Sequence, residues 1–141
     1  MQQKYFRICI LLLLAVSVSA CSKNSHPPIE LHSTTISDAY PGSLSNVDKI
    51  ELVDGSTGSR ETIEQKREID GILNDIKNIV LEPEKNQEGS VGYRFRMILY
   101  ENDDAKLGFT PQAIKGIYYE PNEEFDERIR KLFVKYYERE F

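Results

Sequence analysis

The sequence predicts an α+β fold in which an antiparallel sheet of about five strands carries two helices on one face, in the order ββαβββα. The first observation is that apolar and polar side chains alternate with a period of two over residues 91–100. The second is that apolar residues recur at helical spacing over 65–80 and again after residue 122. Because turn-forming residues separate these segments, we expect a single domain over 47–141.

The first half of this domain is predicted to contain two strands and a helix. Residues 47–53 alternate apolar and charged side chains, 54–59 supply turn residues, and 60–63 return as a second strand. The helix over 65–80 ends before Pro83, since the residue preceding a proline is forced out of helical geometry. Its apolar stripe consists of Ile69, Ile72, Leu73, Ile76, Ile79 and Val80.

The second half is predicted to contain a three-stranded meander and a second helix. The strand over 91–100 leads into a turn at 102–104, and the chain returns over 106–110 and 114–119. Asn122 is the predicted cap of the last helix, with acidic residues in the first turn and basic residues further along, as the helix dipole favours. The apolar stripe of this helix is Phe125, Ile129, Leu132, Phe133 and Tyr136.

The amino-terminal residues have the pattern of an export signal. Lys4 and Arg7 precede an apolar run over 8–18, which is too short to cross a membrane because a spanning helix needs about 20 apolar residues. The run ends in small residues and a cysteine: Val18, Ser19, Ala20 and Cys21.

These four residues resemble the lipobox of bacterial lipoproteins. The resemblance implies that residues 1–20 are a signal peptide, that cleavage makes Cys21 the first mature residue, and that its thiol carries a diacylglycerol. Two alternatives remain open at this point, an ordinary secretory signal and an uncleaved anchor helix. A lipid-anchored chain would lie on the extracytoplasmic face of the cell membrane, or on the outer membrane of a Gram-negative host because Ser22 is not an aspartate retention signal.

Charge and cysteine content limit the class of protein further. Removing residues 1–20 removes two cations and no acid, so the net charge of the chain changes from −5 to −7. A nucleic-acid-binding protein needs a basic face, so we expect no nucleic-acid partner. Cys9 lies in the predicted signal peptide and Cys21 would be lipidated, so we expect no disulfide in the exported protein.

Residues 21–46 are predicted to be the lipidated amino terminus and a flexible tether. The stretch after Cys21 is polar, rich in serine, threonine and proline, and has no periodic apolar pattern. His26 and His32 both lie in it without a third ligand nearby, so we expect no metal site there.

The predicted domain lacks the side chains of several common active sites. From Val47 onward there is no His, Cys or Trp, which excludes a Ser-His-Asp or Cys-His arrangement and a His or Cys metal site. We therefore expect no catalytic residues, no metal and no cofactor, and expect that the protein is not an enzyme. An alternative is a cell-envelope hydrolase with two carboxylates, since such enzymes need only two acids held about 5 to 9 Å apart.

The outward face of the long predicted strand is the candidate binding surface. It carries Arg94, Arg96 and Tyr100, with Tyr118 and Tyr119 from the last strand beside them. Arginine and tyrosine are enriched at binding surfaces. The alternative is a solvated sheet face whose arginines pair with neighbouring acids.

The order of the elements, the pair Gly92-Tyr93 at the start of the long strand and the tyrosine pair before the last helix resemble small lipoproteins of uncharacterised function that are common in Gram-positive bacteria. The resemblance is one of layout and implies no active site. Together with the missing catalytic side chains, it favours a membrane-anchored extracytoplasmic binding or interaction module with a protein or envelope partner. A protective or inhibitory lipoprotein is a further alternative.

Overall fold

A single antiparallel sheet organises the part of the chain that the computed structural model describes, which is residues 30–89 and 92–141. Leu31–Phe141 forms one compact unit. The predicted signal peptide, the lipobox with Cys21, and His26 lie outside the described residues. Within the described ranges, no helix is both long and apolar enough to span a membrane.

Six strands make up the sheet, and every neighbouring pair is antiparallel. In chain order they are β1 (Lys49–Asp54), β2 (Arg60–Ile63), β3 (Phe95–Glu101), β4 (Asp104–Thr110), β5 (Ala113–Ile114) and β6 (Ile117–Tyr118). Their order in space is β2-β1-β3-β4-β5-β6. The α+β class and the antiparallel sheet are therefore as predicted, with six strands in place of about five.

The described residues also form three α-helices, α1 (Ile36–Ala39), α2 (Lys66–Ile76) and α3 (Glu123–Tyr137), and one 3-10 helix, Leu44–Asn46. Asn122 caps α3 as predicted, because its side-chain oxygen accepts a hydrogen bond of 3.0 Å from the backbone N–H of Phe125. The Asn122 amide also donates to the carbonyl oxygen of Val80, 3.1 Å away, and so ties the start of α3 to the segment after α2.

The core lies between one face of the sheet and the two longer helices. Alternation along the strands puts every second apolar residue on this face, and the strand register brings them together as the pairs Ile50 and Leu99, Leu52 and Met97, Leu99 and Leu107, and Met97 and Phe109. Helix α2 contacts β1 and α3 contacts β3. Their buried residues join the same core: Ile69, Leu73 and Ile76 from α2, and Phe125, Ile129 and Phe133 from α3.

The prediction of a tether is wrong for residues 31–46, which belong to the folded domain. Ile36 and Tyr40 in and after α1 are buried in the core, and the Tyr40 hydroxyl donates a 2.8 Å hydrogen bond to Glu101. Thr34 exchanges two backbone hydrogen bonds with Leu81, of 3.0 and 2.8 Å. The helix here has four residues, so it contributes too few apolar positions to show a periodic pattern in the sequence.

Three predicted segment boundaries also need correction. Helix α2 ends at Ile76 and not at residue 80, and β3 begins at Phe95 and not at residue 91. The predicted strand over 114–119 is two short strands, because Lys115 and Gly116 adopt positive φ angles of 51° and 80°. Two successive positive φ angles are characteristic of the tight turn in a two-residue hairpin.

Asp54 is the only fully buried charged residue among those described. Its carboxylate accepts hydrogen bonds from the Ser56 backbone N–H at 2.8 Å and the Thr57 hydroxyl at 2.7 Å, and it forms an ion pair with Arg139. Burial acts to raise the pKa of Asp54, but these hydrogen bonds and the Arg139 charge outweigh it and hold the pKa below its ordinary value of 3.8.

The last residue of α3 and the residues after it pack against the sheet and the turn after β1. The Tyr137 hydroxyl lies 2.9 Å from the carbonyl oxygens of both Leu52 and Ser59. Phe141 packs edge-on against Phe95, with ring centroids 5.2 Å apart. Residues from the first strand, its turn and the end of α3 are therefore held together at one end of the sheet.

We predict that deletion of residues 1–30 leaves the domain folded, whereas deletion of residues 1–46 destabilises it strongly. The longer deletion removes the buried side chains of Ile36 and Tyr40, and full burial of a large apolar side chain contributes about 1.5–3 kcal/mol. That loss is a large share of the roughly 5–15 kcal/mol that stabilises a typical domain. Thermal unfolding followed by circular dichroism measures the difference, and equal unfolding temperatures for the two deletions would contradict it.

We predict that Asp54→Asn lowers the free energy of unfolding at neutral pH by about 1–3 kcal/mol, the usual cost of losing a buried hydrogen-bonded charge. The pKa of Asp54 is lower in the folded state than in the unfolded state. The stabilisation that ionised Asp54 gives to the folded state is therefore present above pH 3.8 and is lost as the pH falls through the folded-state pKa. Urea unfolding at neutral and acidic pH should show that the difference in free energy of unfolding between wild type and Asp54→Asn becomes smaller in acid. Asp75→Asn, an exposed change on α2, is the control.

Candidate functional site

A cavity of about 450 Å³ that is lined by both cationic and anionic side chains lies at the end of the sheet. We call it the arginine cavity. Four parts of the chain line it: residues 92–95 at the start of β3, residues 110–113 between β4 and β5, β6, and the first half of α3. The side chains that give it its chemistry are Tyr93, Arg94, Gln112, Tyr118, Asp126 and Arg130.

Gly55 fixes the segment that carries Tyr93 and Arg94. The backbone N–H of Gly55 donates to the Arg94 carbonyl oxygen at 2.9 Å. A Cβ atom at position 55 would lie only 1.8 Å from the Tyr93 carbonyl oxygen, so no residue larger than glycine fits there without moving this wall of the cavity. The turn after β1 therefore positions a residue that is far away in the sequence.

Gln87 and Gly89 fix Tyr118 on the opposite wall. The Gln87 side chain behaves like the backbone of a neighbouring strand, because its oxygen accepts from the Tyr118 N–H and its nitrogen donates to the Tyr118 carbonyl, both at 2.9 Å. A Cβ atom at Gly89 would lie 2.4 Å from the Tyr118 hydroxyl oxygen. These contacts leave the half-buried Tyr118 ring facing the cavity.

Asp126 and Arg130 reach the cavity from successive turns of α3. Residues four apart on a helix lie on the same face, yet these two side chains form no ion pair with each other. Within the described ranges, the Asp126 carboxylate has no hydrogen bond or ion pair, and burial raises its pKa above the ordinary value of 3.8. Arg130 forms an ion pair with Glu140 at 4.0 Å, and its charge helps to lower the pKa of Glu127, whose main partner is Lys131.

Arg94 is exposed and forms no ion pair or side-chain hydrogen bond with any residue that the structure describes. Among the described residues, the cavity therefore contains one guanidinium group, Arg94, and one carboxylate, Asp126, without a protein partner, and a second guanidinium group, Arg130, that pairs with Glu140. Unsatisfied charged groups in a partly desolvated space are stabilised when a ligand provides the opposite charge.

The structure divides the predicted surface of Arg94, Arg96, Tyr100, Tyr118 and Tyr119 into three parts. Arg94 and Tyr118 are brought together in the arginine cavity. Arg96 and Tyr100 lie on β3, away from the cavity lining. The prediction is wrong for Tyr119, whose side chain is buried in the core with 3% of its surface exposed.

The reason for the error at Tyr119 is the turn at Lys115 and Gly116. The sequence predicts one continuous strand over 114–119, in which alternation from the inward Ile114 would turn Tyr118 inward and Tyr119 outward. In the structure the chain leaves β6 at Tyr118, and the Tyr119 N–H donates to the Gln112 carbonyl oxygen at 2.9 Å. This places Tyr119 under the sheet, where burial raises its pKa.

The open face of the sheet is partly covered by its own side chains. Arg96 extends across Gly108 on the neighbouring strand, where a Cβ atom would lie 3.2 Å from the guanidinium, and its charge lies 5.9 Å from the centre of the Tyr93 ring. The Lys49 ammonium lies 4.6 Å from the centre of the Tyr100 ring and 2.5 Å from Asp103. This face is less available to a ligand than the arginine cavity.

The sequence predicts Asp126 only as an acid in the first turn of the last helix, and Arg130 only as a basic residue further along it. The one sequence signal that could place both in the same site is their spacing of four residues, which puts them on the same face of a helix. No group of three or more His, Cys, Asp or Glu side chains is arranged to bind a metal within the described ranges. The chain matches no protein-family model, no curated protein and no solved structure.

Proposed function

We propose that this chain is a membrane-anchored extracytoplasmic lipoprotein that binds a small envelope or extracellular molecule in the arginine cavity. The observation that carries the binding role is the pair of guanidinium groups that line one cavity, Arg94 without a protein partner among the described residues and Arg130 paired with Glu140. The volume of about 450 Å³ falls in the range of small-molecule sites, roughly 300–1,000 Å³.

The proposed anchor rests on the apolar run over 8–18 and the lipobox that ends at Cys21. A diacylglycerol contributes about 0.8 kcal/mol per buried methylene, and two or more chains suffice for stable attachment to a bilayer. The exported portion carries a net charge of −7, and an anionic protein is repelled by anionic lipid. A covalent anchor would therefore be needed to keep it at the membrane surface.

The composition of the cavity favours binding over the two-carboxylate hydrolase. Such an enzyme needs two acids that face the same substrate bond. Asp126 is the one carboxylate in the described lining, and the other charged groups there are arginines. Two cations and one anion favour a ligand that carries at least one anionic group, because the cavity has a net positive charge within a negatively charged protein.

We predict that growth in labelled palmitate labels the wild-type chain and does not label Cys21→Ala. The reason is that Cys21 is the only cysteine expected to remain after removal of residues 1–20. Gel fluorography or click detection of the purified chain measures the label. Cys9→Ala is the matched control and should be labelled like the wild type, and equal labelling of Cys21→Ala would refute the anchor.

We predict that Arg94→Glu abolishes enrichment of the ligand from spent growth medium, because it reverses one of the two cavity cations. Arg67→Glu is the control, since Arg67 is an exposed arginine of α2 that lies outside the cavity lining. Equilibrium dialysis of the purified full chain against medium, followed by mass spectrometry of bound small molecules, measures the enrichment. If both variants enrich the same compounds as the wild type, the cavity is not the binding site.

A further inference from the structure

The charges in the arginine cavity define the ligand more closely than a binding role alone does. This step rests on the proposed function. Asp126 and Arg130 are separated by one helical turn, so their charged groups project from neighbouring positions on one face of α3. A ligand that satisfies both must carry a cation and an anion close together.

An α-amino acid has this arrangement, since its ammonium and its carboxylate are attached to the same carbon atom. The half-buried Asp126 carboxylate, which has no hydrogen-bond partner among the described residues, can accept from the ammonium. Arg130 and Arg94 can donate to the carboxylate, and guanidinium groups bind carboxylates through paired hydrogen bonds. A simple anion such as phosphate would satisfy the arginines and leave the half-buried Asp126 carboxylate beside a like charge.

The remaining lining determines which side chain the amino acid carries. The rings of Tyr93 and Tyr118 and the apolar groups of Phe95, Pro111 and Ala113 provide much of the cavity wall. Aromatic side chains prefer aromatic and apolar neighbours. We propose that the arginine cavity binds a free α-amino acid with an apolar or aromatic side chain, its ammonium at Asp126 and its carboxylate at Arg130 and Arg94.

The test uses L-phenylalanine and two blocked forms of it, N-acetyl-L-phenylalanine and L-phenylalaninamide, with isothermal titration calorimetry on the full chain in detergent micelles. We expect L-phenylalanine to bind and each blocked form to bind at least about tenfold more weakly, since each has lost one charge that the cavity pairs. Equal affinity for the free and the N-acetylated amino acid would overturn the proposal.

Two substitutions assign the two ends of the ligand. In Asp126→Asn the preference for a free ammonium should disappear, so that L-phenylalanine binds no better than its N-acetyl form. In Arg130→Gln the preference for a free carboxylate should fall, because Arg94 alone remains to pair it, and in the double variant Arg94→Gln/Arg130→Gln it should disappear. Glu124→Gln and Arg128→Gln, which change an acid and a base with the same four-residue spacing on α3 but outside the cavity lining, should keep both preferences. The unfolding temperature of every variant is measured, and Asp126→Asn preserves side-chain size, so a loss of preference in a folded variant reports on the ligand contact.

Failure of the proposal can be separated from failure of the binding function. If phenylalanine, leucine, tyrosine, serine, glutamate and lysine all give no binding heat, the amino-acid assignment is wrong. If the wild type nevertheless enriches a compound from medium and Arg94→Glu does not, the cavity still binds a ligand of a different class. If neither experiment gives a signal, both the assignment and the proposed binding function are rejected.

Discussion

The burial of the Asp54 carboxylate is the constraint on which much of this structure depends. A charge without exposed surface must be hydrogen-bonded and paired, and Asp54 obtains its partners from the turn after β1 and from Arg139. The turn is thereby held in the one conformation that places Gly55 against the Tyr93 and Arg94 backbone. One wall of the arginine cavity is thus set by an ion pair that does not itself line the cavity.

The same constraint orients the last helix. Arg139 follows α3, so its pairing with Asp54 fixes the end of that helix against the sheet, while Asn122 fixes its start. Phe133 and Phe95 pack between these two points, with ring centroids 4.7 Å apart. The positions of Asp126 and Arg130 on the intervening turns follow, because a helix held at both ends has no freedom to rotate.

Regular elements could be predicted from the sequence wherever the apolar pattern is long enough to have a period. The core face of β3 and the apolar stripe of α3 are examples. The segment around Ile36 and Tyr40 could not be recognised, because its two core residues belong to a helix of four residues and depend on contacts with distant parts of the chain.

The site was less predictable than the fold, for a physical reason. The sequence places Arg94 and Tyr118 on one predicted surface. The turn at Lys115 and Gly116 decides which of the two neighbouring tyrosines faces outward. Because lysine rarely adopts a positive φ angle, nothing in the residue type at position 115 indicates this turn. The cavity itself is formed by four segments that are separated along the chain. Whether a charged side chain in the cavity has a partner depends on how these segments are arranged in space. The sequence of any one segment does not give that arrangement.

The pairing of Asp54 with Arg139 also has a consequence for the order in which the protein can fold. The two partners are separated by 85 residues, and ribosomal synthesis delivers Asp54 long before Arg139. Until the segment 137–141 arrives, the carboxylate lacks its counter-charge and the Phe95 ring lacks the cover of Phe141. Contacts between residues so distant in the chain slow folding, so the incomplete chain passes through a period in which its sheet is open at one end. A folding helper would have its greatest effect during that interval.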